Sequence, residues 1–147
     1  MAIINIYLHS EGKTEEAFNF YKSVFGGEFC TFLRYSDMPD QSGFGKVSES
    51  EKAKIMHVAL PLGNGNTLMG ADTLESMRHK INAGNNFSIS VSTESREETE
   101  RIFNGLSNGG KVTMPLAKTF WSECFGMCVD KFGILWMVNF DIGGTRS

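Results

Sequence analysis

Two side chains in this sequence are placed where they could move a proton or anchor a ligand, His57 and Glu123. His57 lies in the apolar run MHVALPL, and Glu123 follows Trp121 by two residues in the aromatic-rich run TFWSECF. An imidazole can act as an acid, a base or a hydrogen-bond partner near neutral pH. A carboxylate surrounded by aromatic rings holds its proton more readily, so Glu123 could serve as a proton shuttle. Each residue also has a plainer interpretation: His57 as a hydrogen-bonded structural residue, and Glu123 as an exposed strand-end carboxylate.

Both residues lie in predicted β-hairpins, and the two hairpins repeat each other. Each has two apolar arms around a glycine-containing turn, which is the usual signal for paired strands. The arms are 55–62 and 67–72 in the first hairpin, and 121–129 and 134–140 in the second. The turn glycines differ by 68 residues (133 − 65 = 68), and the same offset places Met137 on Met69 and Phe125 on His57. This recurrence indicates that the chain is built twice.

A strand, a helix and a further strand precede each hairpin, so that each half reads β-α-β-β-β. The helices are predicted at 14–24, with Thr14 as N-cap, and at 95–106, where Ser95 and Glu98 have capping-box spacing. The other strands are predicted at 3–9, 28–35, 87–92 and 111–118, the last at an edge or bulge because it contains proline. A linker at 73–85 joins the halves 1–72 and 86–140, with Asn5 aligned on Asn86. We therefore predict an α+β fold of tandem βαβββ modules; the alternative is an ordinary α+β domain with two similar hairpins.

Composition and charge exclude several classes of protein. The 147 residues are 41% hydrophobic and 21% charged, with a formal net charge of −3 and no basic run, so nucleic acid is not an expected partner. No apolar stretch is long enough to cross a membrane, and the first residues do not resemble a signal peptide. Three cysteines do not make a disulfide framework. We expect a cytoplasmic protein and, because open sheet edges favour pairing with a second chain, a homodimer.

With these elements in place, the sequence resembles the vicinal oxygen chelate superfamily, which includes glyoxalases, bleomycin-resistance proteins and extradiol dioxygenases. More narrowly, it resembles the PhnB-like branch, also described as demethylubiquinone-methyltransferase-like. The motifs that carry the resemblance are FY at 20–21, FGGE at 25–28, DMP at 37–39, MHVAL at 56–60, LMGAD at 68–72, FW at 120–121, FG at 125–126, DKFG at 130–133 and WM at 136–137. The resemblance implies that each module curls into a half-barrel and that a small-molecule ligand binds in the cup so formed.

The alternation of side chains along each strand predicts which residues face this cup. Apolar residues such as Val58 and Phe87 are expected to face the helix, which leaves the residues between them for the cup. The predicted ligand-binding residues of the modules are Asn5, Tyr7, Met69, Asn86, Trp121, Phe125 and Met137, beside His57 and Glu123. The polar loop at 36–54 is predicted to fold over the cup and to bring Met38 or Phe44 to the ligand. The alternative is an interior filled by its own side chains.

The classical metal site of this superfamily is poorly matched. In metal-using relatives the ligands come from the first and last strand of each module, and the positions that match are Asn5, Met69, Asn86 and Met137. Thioethers suit copper(I) rather than the divalent ions of this superfamily, and a neutral amide binds those ions weakly. We therefore expect no cofactor at these positions, while a divalent metal at other positions stays open.

Two functions from different classes are consistent with these residues. The first is a small-molecule binding protein of the bleomycin-resistance type, which holds a ligand and does no chemistry. The second is an enzyme, lyase, isomerase or dioxygenase-like, in which His57 or Glu123 moves a proton with or without a divalent metal. The methyltransferase label adds no support, because the glycine-containing run at 63–66 precedes a predicted strand and not a helix. Binding is the favoured hypothesis.

Overall fold

Each half of the chain folds into a strand, a helix and three further strands, as predicted. The structure is a computed structural model and describes residues 1–38, 47–77 and 80–141. The helices and strands are β1 (Ile6–Ser10), α1 (Thr14–Phe25), β2 (Thr31–Arg34), β3 (Ile55–Gly63), β4 (Asn66–Asp72), β5 (Ile89–Thr93), α2 (Arg96–Ser107), β6 (Lys111–Ala117), β7 (Cys124–Val129) and β8 (Leu135–Phe140). The chain divides into two units, Met1–Asn82 and Ala83–Ser147. Within the described residues, no helix has the length and apolar character needed to cross a membrane.

The first unit contains a four-stranded sheet in the order β1-β4-β3-β2. β1 runs parallel to β4, and the other neighbouring strands are antiparallel. The β3–β4 turn passes through Asn64 and Gly65, whose φ angles of 54° and 78° lie in the left-handed region that these residue types tolerate. β1 begins at Ile6 and not at the predicted Ile3, and its pairing with β4 starts with Ile6 opposite Leu68.

Helix α1 covers one face of this sheet. Its buried residues recur at helical spacing and are Thr14, Ala17, Phe18, Tyr21 and Val24. Gly70 of β4 lies under Phe18, since a Cβ atom at residue 70 would lie 2.6 Å from the Phe18 ring and 2.8 Å from the carbonyl oxygen of Leu8. The missing side chain at Gly70 therefore lets the helix approach the sheet, and it marks the side of β4 that faces α1.

The start of α1 differs from the prediction. Thr14 is the first helical residue, and the N-cap is Lys13, which makes no side-chain capping bond. The hydroxyl oxygen of Thr14 is buried without a hydrogen-bond partner among the described residues. The Asp72 carboxylate takes the capping role: one oxygen accepts hydrogen bonds from the backbone N–H groups of Gly12 (3.1 Å) and Thr14 (3.0 Å), and the other accepts from Ile55 (2.8 Å). The prediction of Thr14 as N-cap is therefore wrong, because the cap comes from a residue distant in sequence.

The second unit contains a four-stranded sheet in the order β5-β8-β7-β6, with β5 parallel to β8. Helix α2 begins with the predicted cap: Ser95 Oγ accepts from the N–H of Glu98 (3.1 Å), and the Glu98 carboxylate accepts from the N–H of Glu94 (2.9 Å). Phe103 of α2 lies over Gly126, where an added Cβ atom would lie 2.8 Å from its ring. Both units therefore place a helix phenylalanine over a sheet glycine.

The two edge strands of the second sheet, β6 and β5, differ from a simple reading of the sequence. The register of β6 with β7 shifts between Val112 and Met114 and again between Met114 and Ala117, so the prediction of a bulged edge strand at Pro115 is confirmed. The opposite edge, β5, begins only after Phe87, whose side chain is 63% exposed. The prediction that Phe87 packs under the helix is therefore wrong.

The first strands of the two units align with a different offset from the one predicted. Their pairing with the last strand of each unit places Ile89 on Ile6, an offset of 83 (89 − 6 = 83), and not the predicted 81 (86 − 5 = 81). Asn5 therefore corresponds to Ser88 and not to Asn86. The predicted offset rests on the identity of two asparagines, whereas the register is set by strand pairing. A two-residue slip keeps each side chain on its predicted face.

The turn of the second hairpin is held by the buried carboxylate of Asp130. Its Oδ1 accepts hydrogen bonds from the backbone N–H groups of Phe132 (2.8 Å) and Ile134 (3.1 Å), and its Oδ2 accepts from Trp136 Nε1 (2.8 Å). Gly133 has a φ of 90°, which closes the turn. The predicted turn at 130–133 is confirmed, and Asp130 also fixes the buried Trp136 side chain.

Candidate functional site

One face of the first sheet is not covered by α1, and its strand residues could bind a ligand. Because Gly70 faces α1, its neighbours Met69 and Ala71 face the opposite way. Residues paired across strands share a face, and so do alternate residues of one strand. We call this the open face of the first unit; it carries Tyr7 and His9 on β1, Thr31 and Leu33 on β2, His57 and Ala59 on β3, and Met69 and Ala71 on β4.

Tyr7 and His57 form a hydrogen-bonded pair on this face. Tyr7 Oη lies 3.2 Å from His57 Nδ1, and the stacked rings have centroids 5.6 Å apart with 20° between their planes. β4 lies between β1 and β3, so the Tyr7 side chain reaches across β4. Ala71 of β4 is only 7% exposed, as expected if the rings lie over it. Sequence reasoning predicts Tyr7 and His57 on the ligand side but not their contact, because the contact depends on strand order.

His9 adds a second imidazole beside this pair. Its ring centroid lies 5.1 Å from that of Tyr7, with 38° between the planes. Tyr7 is 40% exposed, and burial of the rest raises the pKa of its hydroxyl, which therefore stays protonated near neutral pH. None of the strand residues that the structure places on this face is a carboxylate. The open face of the first unit therefore offers hydrogen-bonding rings without a negative charge among them.

The loop that follows β2 is anchored at its base to helix α1. Arg34 donates hydrogen bonds to both carboxylate oxygens of Glu15 (3.0 and 2.8 Å) and to the carbonyl oxygen of Ala53 (2.8 Å). The hydrogen bond from Arg34 lowers the pKa of Glu15. Met38, a predicted ligand contact, is half-buried just after a short 3-10 turn. Phe44 lies outside the described residues, so the closing of this loop over a ligand stays a prediction.

Glu51 is a buried carboxylate in this loop that sequence reasoning missed. Its carboxylate accepts hydrogen bonds from the Ser48 hydroxyl (2.9 Å) and backbone N–H (3.4 Å), and from the backbone N–H of Ser76 (3.2 Å). Burial acts to raise the pKa of Glu51, but the hydrogen bonds from Ser76 and Ser48 outweigh it and lower the pKa to about 2. Glu51 therefore ties the end of the loop to the segment after β4. In the sequence, Glu51 cannot be told from the exposed residues around it, because its neighbours are also Ser, Glu and Lys.

The second unit has a corresponding open face, which is aromatic at one end. Gly126 faces α2, so Phe125 and Met127 beside it face away from the helix. The Trp121 ring packs edge-on against Phe125, with centroids 5.6 Å apart, and Phe120 packs edge-on against Trp121 at 4.7 Å. Phe125 is buried, whereas Trp121 is 54% exposed and lies before β7. Trp121 therefore presents a free ring surface on which a flat group could stack.

A row of methionines crosses the open face of the second unit. Met114 on β6 pairs with Met127 on β7, Met127 pairs with Met137 on β8, and Ser90 on β5 completes the row. Adjacent strands are about 4.8 Å apart, so the three thioethers form one continuous, polarizable strip that can adapt to different shapes. Sequence reasoning predicts Met137 at the ligand but misses Met114, whose orientation depends on the register shift just before it in β6.

Glu123, the second predicted proton shuttle, lies in a partly exposed ion pair. Its carboxylate is 3.7 Å from Lys118 Nζ, and its side chain is 30% exposed. Its backbone N–H donates to the carbonyl oxygen of Phe140 (3.0 Å), so residue 123 continues the pairing of β7 with β8 by one bond. Such a pair contributes little to stability and fixes the carboxylate only loosely.

The residues at the classical metal positions do not fit a divalent ion. Asn5 and Asn86 are exposed and precede their strands, while Met69 and Met137 are half-buried thioethers. Amides and thioethers are poor ligands for the divalent ions that use histidine and carboxylate. Across residues 1–38, 47–77 and 80–141, no three or more His, Cys, Asp or Glu side chains are grouped so as to hold a metal ion. His79, the remaining histidine, lies outside the described residues.

The fold places the chain in a structural class. It is similar to a glyoxylase/bleomycin resistance protein/dioxygenase domain from Frankia sp. EAN1pec, with a TM-score of 0.66 at 11% identity, over 98% of this chain and 94% of that chain. This likeness concerns the fold alone. The two open sheets with one helix each therefore form a glyoxalase-like α+β fold, as predicted.

The family is shown by closer matches. The family model described as 3-demethylubiquinone-9 3-methyltransferase matches residues 2–139. The chain is 37% identical to protein PA1353 from Pseudomonas aeruginosa, with a TM-score of 0.84 over 96% of this chain and 98% of that one. It is 31% identical to a PhnB protein from Bacillus cereus, with a TM-score of 0.72 over 95% and 99% of the two chains. The chain belongs to the PhnB-like 3-demethylubiquinone-9 3-methyltransferase family, and the predicted resemblance is confirmed.

Proposed function

We propose that this protein binds a small organic ligand on the open face of the first unit, with His57 as the hydrogen-bonding anchor and without the classical metal site. The observation that carries the proposal is the hydrogen bond between Tyr7 and His57. The histidine is half-buried and oriented by a second side chain, on a face that α1 does not cover. Ligand sites typically combine such a fixed polar group with apolar and aromatic walls.

The surrounding side chains support a ligand with an apolar part. Leu33 is 38% exposed on the same face as His57, and Met69 beside Tyr7 is adaptable in shape. In the second unit, Trp121 and the methionine row offer stacking and apolar contacts of their own. The family description names a methyl transfer, but the glycine-containing run at 63–66 forms the β3–β4 turn. A nucleotide-type cofactor is held by a glycine-rich turn that opens a helix, so this run does not support methyl transfer.

Two substitutions at one position test this proposal. His57→Ala removes the anchor, and His57→Phe replaces the imidazole with a slightly larger apolar ring, the side chain found at the equivalent position of the second unit, Phe125. We expect both to weaken the binding of small aromatic acids such as benzoate by about 1–3 kcal/mol, the cost of losing a partly buried hydrogen-bond partner. The melting temperature of His57→Phe should stay close to that of the wild type. A lower melting temperature with unchanged affinity would mean that His57 is a structural residue.

One observation also favours a second candidate, an enzyme of the lyase, isomerase or dioxygenase type. A general base works best when another group orients its imidazole, and the Tyr7 hydroxyl lies 3.2 Å from His57 Nδ1. Nε2 can accept a proton only where Nδ1 carries the hydrogen and donates it to the Tyr7 oxygen, so this candidate requires the Nδ1–H tautomer of His57. Glu123 is the other candidate for proton transfer. Incubating an identified ligand with the protein in D₂O should then exchange a carbon-bound hydrogen, and the exchange should vanish in His57→Phe and persist in Glu123→Gln. Binding without any exchange favours the binding role alone.

We further propose a cytoplasmic homodimer. β1 and β2 in the first sheet, and β5 and β6 in the second, are edge strands with one hydrogen-bonded neighbour in their own sheet. Such edges, with exposed apolar residues such as Val112 and Met114 on β6, favour pairing with a second copy. Light scattering at about 50 µM should give the mass of two chains for a tight interface, and the mass of one chain would contradict this.

A further inference from the structure

Only one of the two imidazole nitrogens of His57 makes a hydrogen bond within the part of the chain that the structure describes. Its hydrogen bond runs between Nδ1 and the Tyr7 hydroxyl at 3.2 Å, and its ring contact is the stack on the same tyrosine. Nε2 makes no hydrogen bond to the described residues. His57 is half-buried, so part of the residue is open to solvent, and Nε2 is the ring nitrogen left for a ligand.

The direction of the Tyr7–His57 hydrogen bond decides what Nε2 can do. A phenol is a strong donor and a weak acceptor, whereas an unprotonated imidazole nitrogen is a strong acceptor, so the hydroxyl is expected to donate to Nδ1. Burial raises the pKa of the Tyr7 hydroxyl, so its proton is retained for this bond. A neutral imidazole that accepts at Nδ1 carries its own hydrogen on Nε2, because the partner of one nitrogen fixes the state of the other.

We propose that Tyr7 is a positioning residue that holds His57 as the Nε2–H tautomer, so that the open face of the first unit presents a hydrogen-bond donor to an anionic oxygen of the ligand. This inference rests on the proposed binding function of the same face and names its substrate class: an organic acid whose carboxylate or phosphoryl oxygen accepts from Nε2. The composition of the face agrees, because its strand residues include a second imidazole, His9, and no carboxylate that would repel an anion.

The tautomer of His57 can be determined by NMR without any ligand. Protonated and bare imidazole nitrogens have distinct ¹⁵N chemical shifts, so a spectrum of ¹⁵N-histidine-labelled protein above the usual imidazole range, at about pH 8.5, identifies the form present. We expect His57 to be bare at Nδ1 and protonated at Nε2. Tyr7→Phe keeps the stacked ring and removes the hydroxyl, so the Nδ1 signal should move toward that of a nitrogen without a partner. Tyr35→Phe is the matched control, because its hydroxyl donates to the Asp72 carbonyl oxygen (2.9 Å) and not to His57.

Four probes built on one ring test the substrate class: benzoate, phenyl phosphate, benzylammonium and benzyl alcohol. We expect benzoate or phenyl phosphate to shift the His57 Nε2 signal saturably and benzylammonium not to do so; which anion binds more tightly separates a carboxylate from a phosphoryl ligand. Tyr7→Phe should weaken anion binding about 2- to 10-fold, the usual effect of one neutral hydrogen bond. Tyr35→Phe should leave it unchanged.

The two possible failures are distinguishable. This inference would be overturned, with a binding function left in place, by any of three results. These are a His57 protonated at Nδ1, an Nδ1 signal that does not change in Tyr7→Phe, and tighter binding of benzylammonium than of the anions. If no probe of any charge perturbs the open face of the first unit, the proposed function itself fails, and with it the substrate class.

Discussion

Removing the Asp130 carboxylate should destabilise the second unit by about 3–5 kcal/mol, within the range seen when a buried hydrogen-bond network is broken. Asp130 is 3% exposed, and its carboxylate accepts hydrogen bonds from the backbone N–H groups of Phe132 and Ile134 and from the indole of Trp136. Hydrogen bonds to a charged acceptor contribute about 1.5–3 kcal/mol each and do not add fully. In Asp130→Ala the two backbone donors can partly turn to water, but Trp136 is 1% exposed, so water cannot easily replace the carboxylate at its indole N–H.

Tryptophan fluorescence is suited to this measurement, because the only two tryptophans, Trp121 and Trp136, both belong to the second unit. Urea unfolding of Asp130→Ala in a Trp121→Phe background would follow the buried indole alone. Asp130→Asn keeps the shape and one acceptor oxygen, so we expect a smaller loss of about 1.5–3 kcal/mol. Glu100→Gln removes the same charge from an exposed position of α2 and should change stability by less than about 0.5 kcal/mol. A loss below about 1 kcal/mol in Asp130→Ala would mean that the carboxylate does not hold this turn and the Trp136 indole together.

Three further predictions concern packing, acid and thiol reactivity. Gly70→Ala should destabilise the first unit by about 1–3 kcal/mol in thermal unfolding, because its Cβ would clash with the Phe18 ring; an unchanged melting temperature would contradict this packing. The pKa of Glu51 is lowered to about 2. The stabilisation from the hydrogen bonds to its ionised carboxylate is therefore complete above the ordinary carboxyl pKa near 4.5 and is lost as the pH falls toward about 2. Hydrogen exchange of the Ser76 amide, corrected for its intrinsic rate, should then be protected at about pH 5 and lose protection toward about pH 2, and constant protection would contradict the bond. Cys30 is exposed and the other two cysteines are buried, so a thiol reagent at about pH 8 should label one thiol quickly and two only on unfolding.

Matched controls exist for these experiments. Gly84→Ala adds the same methyl group where the nearest atom would be the Asn86 side-chain oxygen at 3.7 Å, so it should be tolerated. Glu49→Gln changes an exposed neighbour of Glu51 whose carboxylate pairs with Lys52, and it should leave the Ser76 amide protected. Burial raises the pKa of the Cys128 thiol to about 11, so fast labelling of Cys128 in the folded protein would contradict its burial.

The sequence predicts the fold well because the signals that define it are local. Hairpin turns at 63–66 and 130–133, helical spacing in α1 and α2, and the Ser95 cap are all decided by residues close together in the chain. The offset of 68 between hairpins also holds in the structure, since Met127 pairs with Met137 as Ala59 pairs with Met69. A local signal that occurs twice is therefore stronger evidence for the fold than any single motif.

The candidate site is harder to predict because its contacts join distant strands. The Tyr7–His57 bond spans 50 residues and requires that only β4 lie between the two strands. The cap of α1 by Asp72 and the placement of Met114 likewise depend on pairing and register. Phe87 is predicted wrongly for a different reason: the alternation of side chains in the sequence continues beyond Ile89, the first paired residue of β5. Alternation predicts faces, but only pairing shows where a strand ends.

The most direct test of the proposed function is a fragment screen by ¹H–¹⁵N NMR on the intact chain, with a library that contains aromatic acids. We expect acidic fragments to bind saturably and to shift the resonances of Tyr7, His57 and Met69 more than those of the α1 side of the same sheet. His57→Phe should abolish these shifts. Binding confined to other surfaces, or acidic fragments that bind His57→Phe as tightly as the wild type, would contradict it.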